Sequence, residues 1–181
     1  GVVEAGTGSG PTSGSTIVRD STAGMAMVLR MHLQLASFTP DDLVEVRLML
    51  ERLSCRRAAE AATGDEIAHL RSLVDQMRGT HTTASYNDLD AAFHVGIAEI
   101  SGNGLTAALM AALRETLRKA MVSAFSSLDD PASIMGKLTD EHAAIVDAIA
   151  AGDGNRAAAL VAQHLLGFYR AVGFSDLKWA G

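Results

Sequence analysis

Helix-starting and helix-ending residues recur along this chain, and they constrain its fold more than any other feature. Thr39-Pro40-Asp41-Asp42 supplies a capping hydroxyl, a proline at the first helical position and acids in the first turn. Asp129-Asp130-Pro131 repeats that start signal, and Gly102-Asn103-Gly104 and Gly152-Asp153-Gly154 are turn signals between periodic stretches. Read between these marks, a first helix runs from Ser21 or Thr22 to about Ala36. A second, opened by Thr39–Asp42, continues to about Ala62 with Leu43, Val46, Leu50 and Leu53 as its apolar stripe. Thr63-Gly64-Asp65 separates it from a helix over Glu66–Arg78, and Gly79–Ala84 is a loop. Helices then follow over Ser85–Ser101, from Gly104 to about Ser127, from Pro131 to Gly152, and from Asp153 to about Phe174.

No strand pattern interrupts this series. Aromatics are only 4% of the chain while apolar residues are 48%, a mixture rich in Ala, Leu, Met and Val that suits close-packed helices. The expected fold is all-α: an antiparallel bundle of six or seven helices spanning residues 21–178. Residues 1–20 are different, a Gly/Ser-rich tail (Gly6-Thr7-Gly8-Ser9-Gly10-Pro11) flanked by Val2-Val3 and Ile17-Val18, which are able to pair as a small hairpin. Its glycines fit neither a dinucleotide fingerprint nor a phosphate loop.

Lys and Arg total 15 against 21 Asp and Glu, a formal charge of −6, so this stretch of chain is a poor nucleic-acid binder by itself. Cys55 is the single cysteine, which excludes an internal disulfide and a cysteine metal knuckle. Gly24–Ala36 is too short and too interrupted, by Arg30, His32 and Gln34, to span a membrane. It also lacks the flanks of a signal peptide, and a cytoplasmic protein is expected.

Three histidines satisfy a geometric condition. Asp90 and His94 are four apart on one helix, so they share a face. His142 precedes Gly152 by ten residues and His164 follows Gly154 by ten, which puts each roughly 15 Å from the same turn. His94 lies eight residues before Gly102, roughly 12 Å from its own turn. One transverse plane of the bundle can therefore contain Asp90, His94, His142 and His164. Three imidazoles and a carboxylate suit a divalent ion such as Zn²⁺, Ni²⁺ or Mn²⁺. The alternative is that each histidine is partnered in the core or exposed. His32, His69 and His81 meet no such condition and read as ordinary. Arg47 borders the apolar stripe of its helix. An inward Arg47 beside a metal would capture a carboxylate in bidentate fashion, but spacing alone favours a surface Arg47–Glu51 pair.

Segments spread over Ala36–Val172 resemble the FadR-like effector-binding (FCD) domain of GntR-superfamily transcription regulators. They are Asp42-Leu43-Val44-Glu45-Val46-Arg47-Leu48-Met49-Leu50-Glu51, Ala58-Ala59-Glu60-Ala61-Ala62, Asp90-Ala91-Ala92-Phe93-His94 with Ser101-Gly102-Asn103, Glu141-His142-Ala143-Ala144-Ile145, and His164-Leu165. The resemblance implies a FadR C-terminal-domain-like bundle with a metal held by Asp90, His94, His142 and His164, and a small organic acid bound beside it with Arg47 in contact. It also implies a homodimer whose operator DNA is bound by a separate N-terminal winged helix-turn-helix. That domain is missing from this sequence. Residues 1–20 look like the trailing wing of one with a longer loop, as expected of a fragment. Acyl-CoA-binding members lack the metal histidines, which argues against that ligand.

A sensor is therefore expected rather than an enzyme. The competing readings are a metal-dependent hydrolase-like enzyme, since zinc with an open position activates water, and a dimerisation module whose metal merely staples helices. Di-iron chemistry is excluded because Glu141-His142 is adjacent rather than three apart. Neighbouring helical positions diverge by about 100°, so Glu141 is expected to face outward.

Overall fold

The computed structural model of the protein describes residues 3–5, 15–17, 22–35 and 39–173. Two short strands, β1 (Val3–Ala5) and β2 (Ser15–Ile17), pair antiparallel with Val3 opposite Ile17. This is the small hairpin expected of the tail; Val2, Val18 and the glycine-rich loop lie outside the described residues. Among the described residues seven helices follow: α1 (Thr22–Leu35), α2 (Pro40–Ala61), α3 (Gly64–Arg78), α4 (Thr83–Ile100), α5 (Gly104–Ser126), α6 (Pro131–Ala150) and α7 (Gly154–Ala171). The expected ends of the first and last helices, at Ala36 and Phe174, and the domain end at 178 also lie outside the described residues.

Caps fix these boundaries. The Thr39 hydroxyl accepts from the Asp42 amide while Asp42 accepts from the Thr39 amide, and Thr63 and Glu66 repeat the exchange at α3. Each box satisfies orphan N–H groups of a first turn. It also starts α3 at Gly64, two residues before the expected Glu66. Thr82, Asn103, Asp130 and Asp153 cap α4 to α7. The cap at Thr82 shortens the expected Gly79–Ala84 loop.

Among the described elements α2 is central, packing on α4, α5, α6 and α7. α7 runs antiparallel to it. Gly154, at the start of α7, sits so close to α2 that a Cβ there would lie 3.0 Å from the Arg56 Cα. Near the other end of α7, Tyr169 meets Arg47. The α6–α7 turn depends on Gly152 at φ +72°, a left-handed conformation that suits glycine. The core gathers leucines, methionines and alanines around a ring chain, Tyr86–Phe125 at 5.6 Å and Phe125–Phe168 at 4.7 Å between centroids.

The stripe expected for α2 is corrected. Leu43 is buried and Leu50 half-buried, but Val46 and Leu53 are 40% and 45% exposed. The inward face is instead Leu43, Arg47, Glu51, Ser54, Cys55 and Ala58. It follows helical spacing equally well, but carries two charges and a hydroxyl at its centre. The physical reason lies in what α2 packs against: the polar middle of its inward face meets the polar middle of α4 and α7.

Candidate metal centre

The four members of the centre come from the inward faces of three helices. Asp90 and His94 project from α4, His142 from α6 and His164 from α7. All four are buried, and one donor atom from each lies within 4.8 Å of all the others. The three imidazoles form a triangle, with ring centroids 4.4 Å apart for His142–His164, 5.3 Å for His94–His142 and 5.4 Å for His94–His164. The helical arithmetic of the sequence thus brings together the residues it named. His32, His69 and His81 are exposed, away from this cluster.

Asp90 is the hub. Its Oδ1 lies 3.2 Å from His142 Nε2 and 3.5 Å from His94 Nε2, while Oδ2 accepts from the Arg114 guanidinium on α5. Burial alone would raise its pKa, but Arg114 and then His94 outweigh burial and hold the carboxyl well below the usual range. On the far side of His94, Glu51 approaches Nδ1 at 2.5 Å, a close contact that is poorly aligned for a hydrogen bond. Burial opposes ionisation of Glu51 too, yet His94 and Arg47 keep it a carboxylate. His94 answers in kind: burial disfavours its charge, but Glu51 and Asp90 raise its pKa.

The other two imidazoles are held neutral. Burial, then repulsion from His164, pushes His142 down to about 3. Burial also lowers His164, against the pull of Glu141. Glu141 Oε2 lies 2.9 Å from His164 Nδ1. A carboxylate only accepts, so the proton sits on Nδ1 and the Nε2 lone pair is left for another partner. Glu141 is therefore not turned outward as expected. It is about a third exposed, and it bends back across the α6–α7 seam.

Arg47 and Glu51 do pair, Nε to Oε1 at 2.6 Å, but in the interior and not on the surface. Arg47 also donates to the Tyr169 hydroxyl at 2.8 Å, with its guanidinium 5.7 Å from that ring's centroid. Sequence reasoning missed Glu51, Arg114, Glu141 and Tyr169 as parts of the site. A signal existed for one: Arg114 is four residues after Met110 and seven before Met121, on the face that α5 buries.

Donor chemistry tests whether a cation fits. Both ring nitrogens of His142 and Nε2 of His94 are buried with no directed hydrogen bond, a costly arrangement unless something binds them. Neutral imidazoles and an ionised carboxylate are the form that ligates a borderline dication. The buried group can hold a metal. Next to it is a small cavity of about 10 Å³, at the lower limit for one water, bounded by Arg47, Asp90, Arg114, His164 and the apolar Met121, Phe125 and Phe168.

Comparison with known proteins agrees with this architecture. Residues 42–167 match the FCD domain family. LutR of Bacillus subtilis (strain 168), described as an HTH-type transcriptional regulator, is 31% identical over 133 residues. That match takes in 68% of this chain but 58% of LutR, so the chain spans less than two thirds of that relative. Among solved structures, E. coli McbR/YncC superposes with a TM-score of 0.64 at 13% identity, covering 91% of this chain and 71% of that one. Streptococcus agalactiae GntR gives 0.60 at 19% identity, covering 93% and 74%. These two likenesses establish a shared helical fold.

Proposed function

The chain belongs to the FCD domain family of GntR-type regulators, and from that premise we propose that it is a ligand-sensing domain holding one divalent cation and a small organic acid. The observation that carries this reading is the set of buried donors of Asp90, His94, His142 and His164 within 4.8 Å of one another. Zn²⁺ suits them best, with Ni²⁺ and Mn²⁺ also compatible. Bound there, the ion supplies a Lewis-acidic position for a carboxylate oxygen.

Charge counting supports an acidic effector. Among the described residues the interior holds two carboxylates, Asp90 and Glu51, and two guanidiniums, Arg47 and Arg114. With neutral imidazoles these cancel, so a dication adds positive charge that Glu141, partly exposed on His164, offsets only in part and an organic acid would neutralise. Arg47 and Arg114 both face the inner cavity. A guanidinium has five N–H groups, and the two bonds of Arg47 to Glu51 and Tyr169 leave donors for a carboxylate.

The cavity is too small for any acid larger than water, so binding must displace side chains of α5 and α7. That displacement is the source of the signal. A ligand shifts a two-state arrangement only by favouring one of its states. In this reading residues 21–178 sense and dimerise, residues 1–20 are a linker or wing remnant, and a separate N-terminal domain contacts operator DNA in the cytoplasm. Met27, Val28 and Met31 on α1, with Val46, Met49 and Leu53 on α2, are exposed apolar side chains available to a second copy.

A thermal-shift screen of small organic acids, with and without Zn²⁺, Ni²⁺ and Mn²⁺, tests the proposal. Stabilisation by an acid only when metal is present supports a sensor. Turnover of the acid would make the protein an enzyme. A melting point that responds to chelator but to no acid would reduce the metal to a staple.

A further inference from the structure

The inner cavity and a surface groove share a wall. The groove, of about 460 Å³, runs outside the bundle along the α6–α7 seam, where Ala144 and Leu160 line it and Asp140, Glu141 and Gln163 surround it. His164 lines this groove and also the small inner cavity that Asp90 lines. His164, whose side chain is 3% exposed, thus stands between the groove and that cavity. The ring nitrogens of His94 and His142 have no exposed surface. At the α6–α7 seam a single side chain, His164, lies between that surface groove and the cavity.

Resting on the metal reading above, we propose that the α6–α7 groove is the passage by which a divalent cation reaches the centre, with His164 as its door and Glu141 as the latch. Glu141 grips His164 Nδ1 at 2.9 Å from the outside. Such an outer carboxylate fixes the ring's orientation and tautomer. The groove's charged side chains are Asp140 and Glu141 against Lys137, whose Nζ lies 3.9 Å from Glu141 Oε1. The balance is acidic and attracts a dication. Of the four donors, His164 lines both the groove and the inner cavity, so its side chain would meet a dication arriving by this route first.

Stopped-flow transfer of Zn²⁺ to and from a chromophoric chelator tests this on the whole chain. Ala144→Trp and, independently, Gln163→Trp add bulk to the groove without touching a donor. Each is expected to slow uptake and release together by about tenfold while Kd stays within about twofold, since a blocked route alters rates and not the end states. Glu141→Ala is expected to weaken Zn²⁺ by about tenfold or more, mostly through faster release. Glu141→Gln, which still accepts through Oε1, restores most of that loss. Unchanged rates in both tryptophan variants, with native melting points, overturn the passage and leave the metal centre standing. Failure of the wild-type chain to bind Zn²⁺ overturns the centre and the passage with it.

Discussion

Arg47 on α2 donates to the Tyr169 hydroxyl on α7 at 2.8 Å, joining residues 122 positions apart in the interior of the bundle. The same guanidinium holds Glu51, which in turn backs His94. Arg47 therefore sits at one end of a charged chain that reaches the candidate ligands.

Replacing Arg47 with Ala leaves the Glu51 carboxylate buried without that guanidinium, which typically costs about 3 kcal/mol or more. Urea unfolding is expected to show that loss. In calorimetry of the folded fraction, carboxylate binding is expected to weaken by about tenfold or more, while one equivalent of metal is retained. An unaltered dissociation constant would remove Arg47 from the effector site.

His142→Ala and His164→Ala each delete a donor. Elemental analysis of the purified variants is expected to find stoichiometric metal gone in both. Full metal content in either would show that the deleted imidazole is not a ligand.

Metal affinity is expected to fall with acid, because a protonated imidazole cannot ligate. Burial lowers both His142 and His164, so each stays neutral further into acid than an ordinary imidazole. His94 is the sensitive ligand: despite burial, Glu51 and Asp90 raise its pKa, so protons compete there first. The decline on lowering pH should begin at or above ~6.5, the ordinary imidazole value. A flat affinity between pH 8 and 5 would contradict this ligand set.

Two capping boxes predict a separate acid response. Amide and hydroxyl bonds from Thr39 lower the pKa of Asp42, and those from Thr63 lower that of Glu66. A depressed carboxylate contributes stability that is full above its unfolded pKa and is lost as pH falls through the folded one. NMR titration should place both midpoints below the usual carboxylate range, and Thr63→Ala should return Glu66 toward it. A Glu66 midpoint that ignores the substitution would mean that the box is not formed in solution.

Gly154→Ala would push a methyl to 3.0 Å from the Arg56 backbone, where no flexible side chain can yield. Separating α7 from α2 should cost about 1–3 kcal/mol in chemical denaturation. A neutral result would show that the two helices are less closely seated than described.

Much of this was legible from residue spacing because helices convert sequence distance into height and direction. Asp90 and His94 share a face by periodicity, and the Gly152–Gly154 turn levels His142 with His164. What periodicity could not reveal was polarity inside the core. α2 offers two faces of similar spacing, and periodicity favours the one richer in Val and Leu, whereas the one bearing Arg47 and Glu51 is buried. Only partners from distant segments, His94 and Tyr169, make that choice favourable. Glu141 was misplaced for a related reason: direction along a single helix says nothing of a long side chain that bends to a neighbour across the seam.

The pairing of Asp90 with Arg114 and of Glu51 with Arg47 has a consequence for folding. Each interior acid already has its own counter-ion, so the bundle can assemble before any cation is supplied. On the proposed reading, loading would then be a later and reversible event on a finished scaffold, and the amount of folded protein would not have to follow the metal supply.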